Sequence, residues 1–483
     1  MLNPNILPNV AGSQTVTGEM PENAVAELQK ALEAGYGSDV AALTGGGALR
    51  IQSLEKTMLS TIQENKHFVL FNEMAKTNAT ATVDEWTEQS AVGGFLGGST
   101  NTETGTIAGS QGQYNRRVGM VKYLMTRREV SFVTTLQNSI ADAEATEAQN
   151  GALQLLTDAE FLSFEGDSSV VPTEFDGIYA LIESLGSADH VIDAAGGALN
   201  GIDMVDRAAA TIAGFGNFGT PTHLFCSQLV QSDFNTNLDP AFRVSLNGSS
   251  SETQLGAPVK GISTSWGDIK NCPDVFVRDE RQMAPFELDF PVIASANVAF
   301  KPASITPVAA AGDADSKWGA DHAGNYYYAV AGINAAGQSA VVVSDEIAVA
   351  AGQKVTITIA RSAGQTETGY VLYRGRKNGT GELTDLRQMC RIPASGGATT
   401  VFVDNNRKIP GTSKAFILNM TPGAQAITWR QLLPMTKFPL YPTVSAVIPW
   451  AQLLFGYLRI GKRRHHTVIE NIVPTGAVWK PFG

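Results

Sequence analysis

The chain has 483 residues, of which 43% are hydrophobic and 17% charged, and its formal net charge at pH 7 is −11. This length predicts two or three domains. The acidic balance argues against a dedicated nucleic-acid reader, because phosphate binding needs a footprint of Lys and Arg. The cysteines Cys226, Cys272 and Cys390 match neither a metal-ligand spacing nor a disulfide framework, and they indicate buried thiols in a reducing compartment.

Residues 1–79 are predicted to form an N-terminal arm with short helices. Helical signals lie at 21–35 and 51–64, where Pro21 suits a first helical turn and Gly35 a helix end. No basic segment precedes an apolar run near Met1, so no signal peptide is indicated. The apolar stretch at 444–458 is too short to span a membrane. We therefore expect cytoplasmic synthesis and no membrane partner.

Residues 80–130 are predicted to form an extended β-loop. Strand signals at Val83 and Trp86 lead into an almost uncharged tip rich in Gly, Ser and Thr, and the leg that returns from Gln113 is rich in β-forming residues. This excursion is far longer than a hairpin turn. Because an isolated two-stranded ribbon is marginal in water, the loop must lie on something, and a neighbouring copy of the chain is the natural support.

Residues 131–163 are predicted to form one long helix, because Leu136, Leu155 and Leu162 recur at helical spacing. Between Arg128 and Arg207 the chain has no Lys or Arg but about fifteen Asp and Glu. We predict that basic residues just upstream meet acidic residues of this helix in an adjacent copy. The basic set is Arg116, Arg117, Lys122, Arg127 and Arg128, and the acidic set is Asp142, Glu144, Glu147, Asp158 and Glu160. The alternative is that these charges pair within the chain or face solvent, where each contributes little.

The rest of the chain divides at a change in composition near residue 302. We expect the spine helix and an α+β body over 131–301, where helical and strand-like pieces alternate. Residues 302–420 carry short strand signals separated by Gly- and Asn-rich turns, which is typical of an all-β sandwich. Residues 421–483 return to mixed character, so we interpret the sandwich as an insertion into the α+β body.

This element order resembles the major capsid proteins of tailed bacteriophages, which have the HK97-like fold. The matching parts are residues 80–130 as the extended loop, 131–163 as the spine helix, and 170–300 with 425–483 as the peripheral and axial domains. The segment 302–420 is similar to a fibronectin III or immunoglobulin-like module, carried by NYYYAVAGINAAGQS (325–339) and GYVLYR (369–374). The resemblance therefore implies an α+β, HK97-like capsid subunit with an inserted immunoglobulin-like β-sandwich that projects outward.

The resemblance also implies a function and partners. The chain is expected to self-assemble as hexamers, and in some positions pentamers, into the icosahedral head of a tailed phage, as a virion protein assembled in the host cytoplasm. The shell would enclose double-stranded DNA without sequence-specific binding, and scaffolding, portal and decoration proteins would be further partners. Some members of the family cross-link through a loop lysine, but no Lys occurs here between Lys76 and Lys122, so we expect non-covalent stabilisation.

Two other functions stay open at this point. One is an encapsulin-like nanocompartment shell, and the other is a surface adhesin or glycan-binding protein with a sandwich module. No catalytic pattern such as GxSxG or HExxH occurs, so we expect neither an enzyme nor a cofactor. His465 and His466, in GKRRHH, lack nearby partners at metal-ligand spacing, and we interpret them as part of a solvated basic turn.

Overall fold

The computed structural model describes residues 64–136, 142–199, 201–237, 259–288, 298–312, 314–442 and 445–483. The arm helices expected at 21–35 and 51–64 lie outside these ranges, apart from Glu64. None of the helices within the described ranges is long and apolar enough to cross a bilayer.

Six α-helices and 22 strands make up the described fold. The helices are α1 (Val69–Glu73), α2 (Phe132–Leu136), α3 (Ala143–Glu165), α4 (Ile178–Glu183), α5 (Asp203–Ala213) and α6 (Gln228–Asn237). The strands outside the sandwich are β1 (Lys76–Asn78), β2 (Val83–Ala91), β3 (Gln113–Met120), β4 (Lys122–Ser131), β5 (Val191–Asp193), β6 (His223–Cys226), β7 (Gly261–Thr264), β8 (Gly267–Pro273), β19 (Ser413–Leu418), β20 (Ile427–Pro439), β21 (Val447–Ile460) and β22 (Thr467–Ile472). Those of the sandwich are β9 (Ser304–Ala310), β10 (Gly324–Tyr326), β11 (Tyr328–Asn334), β12 (Gly337–Gln338), β13 (Val342–Val343), β14 (Ile347–Val349), β15 (Lys354–Ala360), β16 (Gly369–Gly375), β17 (Leu386–Pro393) and β18 (Thr399–Asp404).

The α+β body contains two sheets. The long sheet has the order β1-β20-β21-β4 and carries α3 across it. The second sheet is mixed, with the order β5-β22-β19-β6-β8-β7, and packs against α5 and α6. Both sheets combine strands from the two ends of the chain, so residues 413–483 complete layers that begin before residue 273. The α+β class and element order expected from the sequence are confirmed.

The sandwich expected over 302–420 consists of two main sheets and a two-stranded sheet, β10-β14, over 304–404. One main sheet has the order β18-β15-β9, and the other has β12-β11-β16-β17 with β13 beside β11. Val355, Ile357 and Ile359 of β15 alternate into a shared core with Tyr370 and Leu372 of β16. The chain is back in the body by β19, which pairs with β6 and β22, so the sandwich ends before the expected residue 420. Its immunoglobulin or fibronectin III class stays a prediction.

The extended loop is shorter than expected. Strands β2 and β3 pair with each other from Val83 opposite Met120, and the connecting residues 92–112 form the tip. Strand β4 then leaves this pair and runs beside β21, from Lys122 opposite Gly456 to Ser131 opposite Val447. We call β2, β3 and the tip the ribbon; the basic strand β4 belongs to the body.

The spine helix α3 covers 23 residues, or about 35 Å at 1.5 Å per residue. Residues 137–141, within the single helix expected over 131–163, lie outside the described ranges. Gly151 of α3, a weak helix former, is buried where the helix crosses the long sheet. A Cβ on Gly151 would lie 2.0 Å from Oε1 of Gln452, whose Nε2 donates to the Ala148 carbonyl at 2.7 Å. The glycine lets helix and sheet approach closely enough for this bond.

We predict that Gly151→Ala destabilises the protein although alanine is the better helix former. The new methyl group must push Gln452 away from Ala148, and overpacking of this kind costs about 1–3 kcal/mol. Chemical denaturation measures the change. Gln149→Ala, two residues away on an exposed face of α3, is the matched control and should leave the free energy of unfolding within about 0.5 kcal/mol. A Gly151→Ala variant more stable than the parent chain would contradict the close-packing argument.

Candidate functional site: the ribbon and its seat

In strand β2 of the ribbon, successive side chains point alternately towards the body and away from it. Asp84, Trp86, Glu88 and Ser90 are half-buried, and the residues between them are exposed. A period of two is what a strand with one covered face requires. Three of these side chains, Asp84, Trp86 and Glu88, attach the ribbon to the long sheet, and we call them the ribbon root.

Asp84 is the centre of the attachment. Arg430 of β20 binds it with two nitrogens, Nε at 2.8 Å and Nη2 at 3.1 Å, and the Tyr457 hydroxyl of β21 donates to it at 2.6 Å. Arg459 lies 3.7 Å away. Burial alone would raise the pKa of the Asp84 carboxyl, but the hydrogen bonds from Arg430 and Tyr457 hold it below its ordinary value. Such paired-nitrogen contacts fix direction as well as distance, so they set how the ribbon leaves the body.

The other two root residues extend the attachment along the strand. Arg459 lies over the Trp86 ring, 5.8 Å from its centre. Glu88 is held between Arg117 of the ribbon, at 3.2 Å, and Arg463 of the body, at 3.6 Å. Cations from both the ribbon and the body therefore meet the carboxylates of one strand face.

Gly119 of β3 is the position where the ribbon approaches the body most closely. A Cβ there would lie 2.3 and 2.5 Å from two ring carbons of Tyr457 and 2.6 Å from its hydroxyl oxygen, the group that donates to Asp84. Real Cβ atoms do not approach that closely, so only glycine fits while Tyr457 stays in place.

The outward side and the tip carry apolar side chains that are uncovered in the protomer, among polar and charged neighbours. Val118 and Met120 are 56% and 60% exposed on β3, and Val92 and Leu96 are 85% and 86% exposed on the tip. An apolar surface that lies far from any core of its own chain is typical of a protein–protein contact. The ribbon therefore has one face for its own body and one for something else.

The structure places four of the five predicted basic residues within reach of carboxylates of their own chain, and the fifth, Lys122, against a backbone carbonyl. Arg116 pairs with Glu85, and Arg127 with Glu129 at 2.8 Å. Arg128 bonds to Glu147 of α3 at 3.2 Å, so a basic and an acidic residue of the two predicted sets pair here within one protomer. Lys122 donates to the Pro172 carbonyl at 2.6 Å, and Arg117 belongs to the root. The side chains of Arg116 and Arg127 remain 71% and 66% exposed, so a contact with a neighbouring copy stays a prediction for them.

The predicted carboxylates fall into two groups. Asp142, Glu144, Glu147 and Asp158 reach the surface to different degrees, and Glu144 pairs with Lys437 of β20 at 2.6 Å. Glu160 differs: it is fully buried, so its expected role at an intersubunit surface is wrong. Its two oxygens accept the backbone N–H groups of Leu70, at 2.7 Å, and Phe71, at 2.8 Å. Glu160 thus binds the first turn of α1.

The position of Glu160 in the sequence indicates burial, although its charge suggests a surface residue. It lies seven residues after Leu153 and four before Phe164, both buried, and this spacing places it on the apolar face of α3. Burial, reinforced by the neighbouring Asp274 carboxyl, raises the pKa of Glu160 to about 9. Burial and Asp274 therefore favour the protonated carboxyl, whereas the N–H bonds from Leu70 and Phe71 favour the ionised form.

The interpretation of the two histidines in GKRRHH from the sequence is also wrong. His466 is fully buried and His465 is half-buried, so the expected solvated turn is wrong for these two residues. Among the residues that the structure describes, no group of three or more His, Cys, Asp or Glu is arranged to hold a metal ion. The root residues were missed altogether, although the alternation of Asp84, Trp86 and Glu88 was a readable signal for a half-buried strand.

Sequence relatives of the chain are phage proteins of nearly the same length, and no family model matches it. The chain is 26% identical over 473 residues to a protein assigned as the major capsid protein of Enterococcus phage phiEF24C, covering 94% of this chain and 96% of that protein. It is 25% identical over 463 residues to the major capsid proteins of Staphylococcus phages S25-3 and K, covering 92% of this chain and 95% of each relative.

Solved structures with a related backbone are more distant in sequence. A chain of Mycobacterium phage Bobi gives a TM-score of 0.44 at 10% identity, covering 90% of this chain and 99% of that chain. The capsid of a native GTA particle gives a TM-score of 0.45 at 10% identity, covering 90% of this chain and all of that chain.

We predict that Gly119→Ala loosens the ribbon root. The added methyl group displaces the Tyr457 ring from Asp84, which should lower the free energy of unfolding by about 1–3 kcal/mol and speed proteolytic cleavage of the tip. Denaturation curves and limited proteolysis test both effects. Gly109→Ala, at a tip position with open space around it, is the control and should behave like the parent chain. Equal cleavage rates for Gly119→Ala and Gly109→Ala would argue against a seat at Tyr457.

We predict a distinctive pH dependence for Glu160. Its pKa is raised in the folded state, so its contribution to stability is complete below its unfolded pKa near 4.5 and is lost as the pH rises towards 9. The stability of the parent chain relative to Glu160→Gln, which cannot ionise, should therefore fall by roughly 1.4 kcal/mol per pH unit between about pH 5 and 8. Denaturation at several pH values measures this slope. Glu144→Gln, which changes a surface ion pair, should show almost none, and a flat difference for Glu160→Gln would rule out the neutral buried carboxyl.

Proposed function

We propose that this chain, a homologue of the major capsid proteins of tailed phages over more than nine-tenths of its length, is itself a major capsid protein. Its copies tile the icosahedral head of a tailed phage around double-stranded DNA. The observation that carries the proposal is the extent of the similarity, which covers 92–94% of this chain and 95–96% of the relatives.

The geometry of the ribbon supports a shell function. It leaves the body from a rigid root and carries an uncovered apolar face that its own body does not reach. Closed symmetry turns modest contacts of this kind into a stable assembly, because each subunit is held by several neighbours at once. We propose scaffolding, portal and decoration proteins as further partners, in the virion and during assembly in the host cytoplasm.

We further propose that exposed charges set the register between copies. Arg116 on the ribbon and Arg127 on β4 keep most of their side-chain surface exposed beside weak, solvent-facing partners. Opposite charges across an interface steer association and exclude wrong registers more than they add affinity. Acidic residues near the start of α3, including Asp142 and Glu147, are the groups in a neighbouring copy that we assign to them.

The sandwich is proposed to lie on the outer face of the shell as an immunoglobulin-like module. Its second sheet packs on the body, where Glu287 accepts the Val341 N–H at 2.6 Å and Arg391 pairs with Glu174 at 2.9 Å. These contacts support a module in a fixed orientation on each subunit.

Electron microscopy of the purified full-length chain, alone and with its scaffolding partner, tests the proposed function. Regular closed shells or capsomers are the expected result, because the shell geometry is encoded in the subunit. A protein that stays monomeric and monodisperse under all of these conditions would overturn the capsid assignment.

We predict that Arg116→Glu combined with Arg127→Glu reduces shell yield at least about tenfold while leaving the folded protomer intact, because each reversal places like charges across the proposed contact. Particle counts and circular dichroism measure the two effects. Arg407→Glu, in an exposed ion pair with Asp315 on the sandwich side, is the matched control and should assemble normally. Unchanged yield in the double variant would remove the register role of these arginines but leave the capsid assignment standing.

A further inference from the structure

The turn formed by residues 462–466 contacts strand β2 of the ribbon from the side of the body. Arg463 lies 3.6 Å from Glu88, and Arg464 donates from Nη1 to the Ser90 carbonyl at 3.4 Å. Both contacts are on the body-facing side of β2, next to the ribbon root. We call residues 462–466 the latch turn.

The latch turn is anchored in the body by two histidines that act as hydrogen-bond acceptors. Nδ1 of His466 accepts the backbone N–H of Asn419 at 3.3 Å. Nδ1 of His465 faces the side-chain Nδ2 of the same Asn419 at 3.2 Å. The amide orientation of Asn419 is set independently, because its Oδ1 accepts the N–H of Thr421 at 3.1 Å. Each ring therefore presents an unprotonated nitrogen to an N–H group.

The backbone of Ala426 beside His466 and that of Asn217 beside His465 favour the protonated rings, but burial outweighs both. His466 Nε2 lies 3.4 Å from the Ala426 carbonyl, and the His466 carbonyl faces Nδ1 of His190 at 2.9 Å. The nearest titratable groups are His190 and Lys462, together with the arginines of the latch turn. Within the described residues, the hydrogen-bond partners of both rings are amide groups and carbonyls.

Protonation would convert each acceptor nitrogen into a donor that faces another donor. Burial lowers the pKa of His466 to about 3, with His465 and His190 adding to the effect, and burial followed by Lys462 lowers the pKa of His465. The depressed pKa means that the rings stabilise the closed turn above pH 6.5, and that this stability is lost as the pH falls below it.

We propose that the latch turn is an acid-sensitive latch, which holds the root of the ribbon at neutral pH and releases it when His465 and His466 take up protons. Opening frees Arg463 and Arg464 from Glu88 and Ser90, so the ribbon loses support at its root and the pairing of β2 with β3, marginal without such support, weakens. The latch is a property of the single protomer. Its consequence for a shell, a loosened contact between copies in acid, rests on the proposed function.

The expected size of the effect follows from linkage. A histidine that titrates near pH 6.5 in the open turn and near 3 in the closed turn raises the opening equilibrium about tenfold between about pH 7.5 and 5.5. A contribution from His465 adds to this factor. Asp158, whose pKa burial raises to about 6, also titrates over this interval, but its effect on stability has the opposite sign and it lies on α3, outside the latch turn.

Hydrogen exchange of the full chain, read by mass spectrometry and corrected for the intrinsic pH dependence of exchange, tests the proposal. Protection of residues 113–120 and 467–472 should fall at least about tenfold from about pH 7.5 to 5.5. His466→Asn keeps an acceptor oxygen near the position of Nδ1 but cannot titrate, so most of this response should disappear. His223→Gln, on β6 outside the latch, is the control and should keep the full response.

A second variant tests the latch without changing a buried residue. Arg463→Ala with Arg464→Ala leaves the buried histidines in place but disconnects the ribbon. In this variant residues 113–120 should be weakly protected at both pH values, while 467–472 keep their pH response. Equal protection of the parent ribbon at both pH values, or a full response in His466→Asn, would overturn the latch. Because exchange is measured on the protomer, these outcomes are independent of whether shells form.

Discussion

A two-stranded ribbon cannot bury both of its faces, and the rest of this structure is arranged around that constraint. A ribbon of this size is marginal in water unless something covers it. Here one face is fastened by carboxylates to arginines of the long sheet, with Asp84 taking a paired contact from Arg430. The other face keeps Val118 and Met120 exposed. The body of the protomer covers one face of the ribbon, and the uncovered face favours association with another chain.

The element order was predictable because each element carries its own local pattern. Alternation in β15 indicated a half-buried strand, and helical spacing indicated α3. The exit of β4 from the ribbon was not predictable, since β3 and β4 have similar strand propensity and only Val121 separates them. What decides between them is the partner of β4, the strand β21, which lies more than 300 residues further along the chain. Local propensity does not contain that information.

The acidic stretch after Arg128 shows the same limit in the electrostatics. Its missing cations come from much later in the chain: Lys414 pairs with Glu165 at 2.6 Å, Lys408 with Glu183 at 2.5 Å, and Arg391 with Glu174 at 2.9 Å. Charges that are separated along the sequence are therefore paired in the fold: carboxylates of residues 165–183 bind cations of residues 391–414. Charge patterning indicated correctly that partners were needed, but it does not say whether they belong to the same copy. Among the predicted arginines, the exposed Arg116 and Arg127 remain candidates for contacts between copies.

The two buried titratable groups respond to acid in opposite directions, and they lie at opposite attachments of the protomer. Glu160 binds the first turn of α1, and because its pKa is raised, its contribution to the stability of the folded chain increases as the pH falls. His466 holds the latch turn under the ribbon, and its lowered pKa makes that attachment weaker. A change of pH therefore does not loosen the subunit uniformly. It redistributes stability from the ribbon towards the segment around α1, so that the ribbon can move while the core of the body, which both attachments share, stays folded.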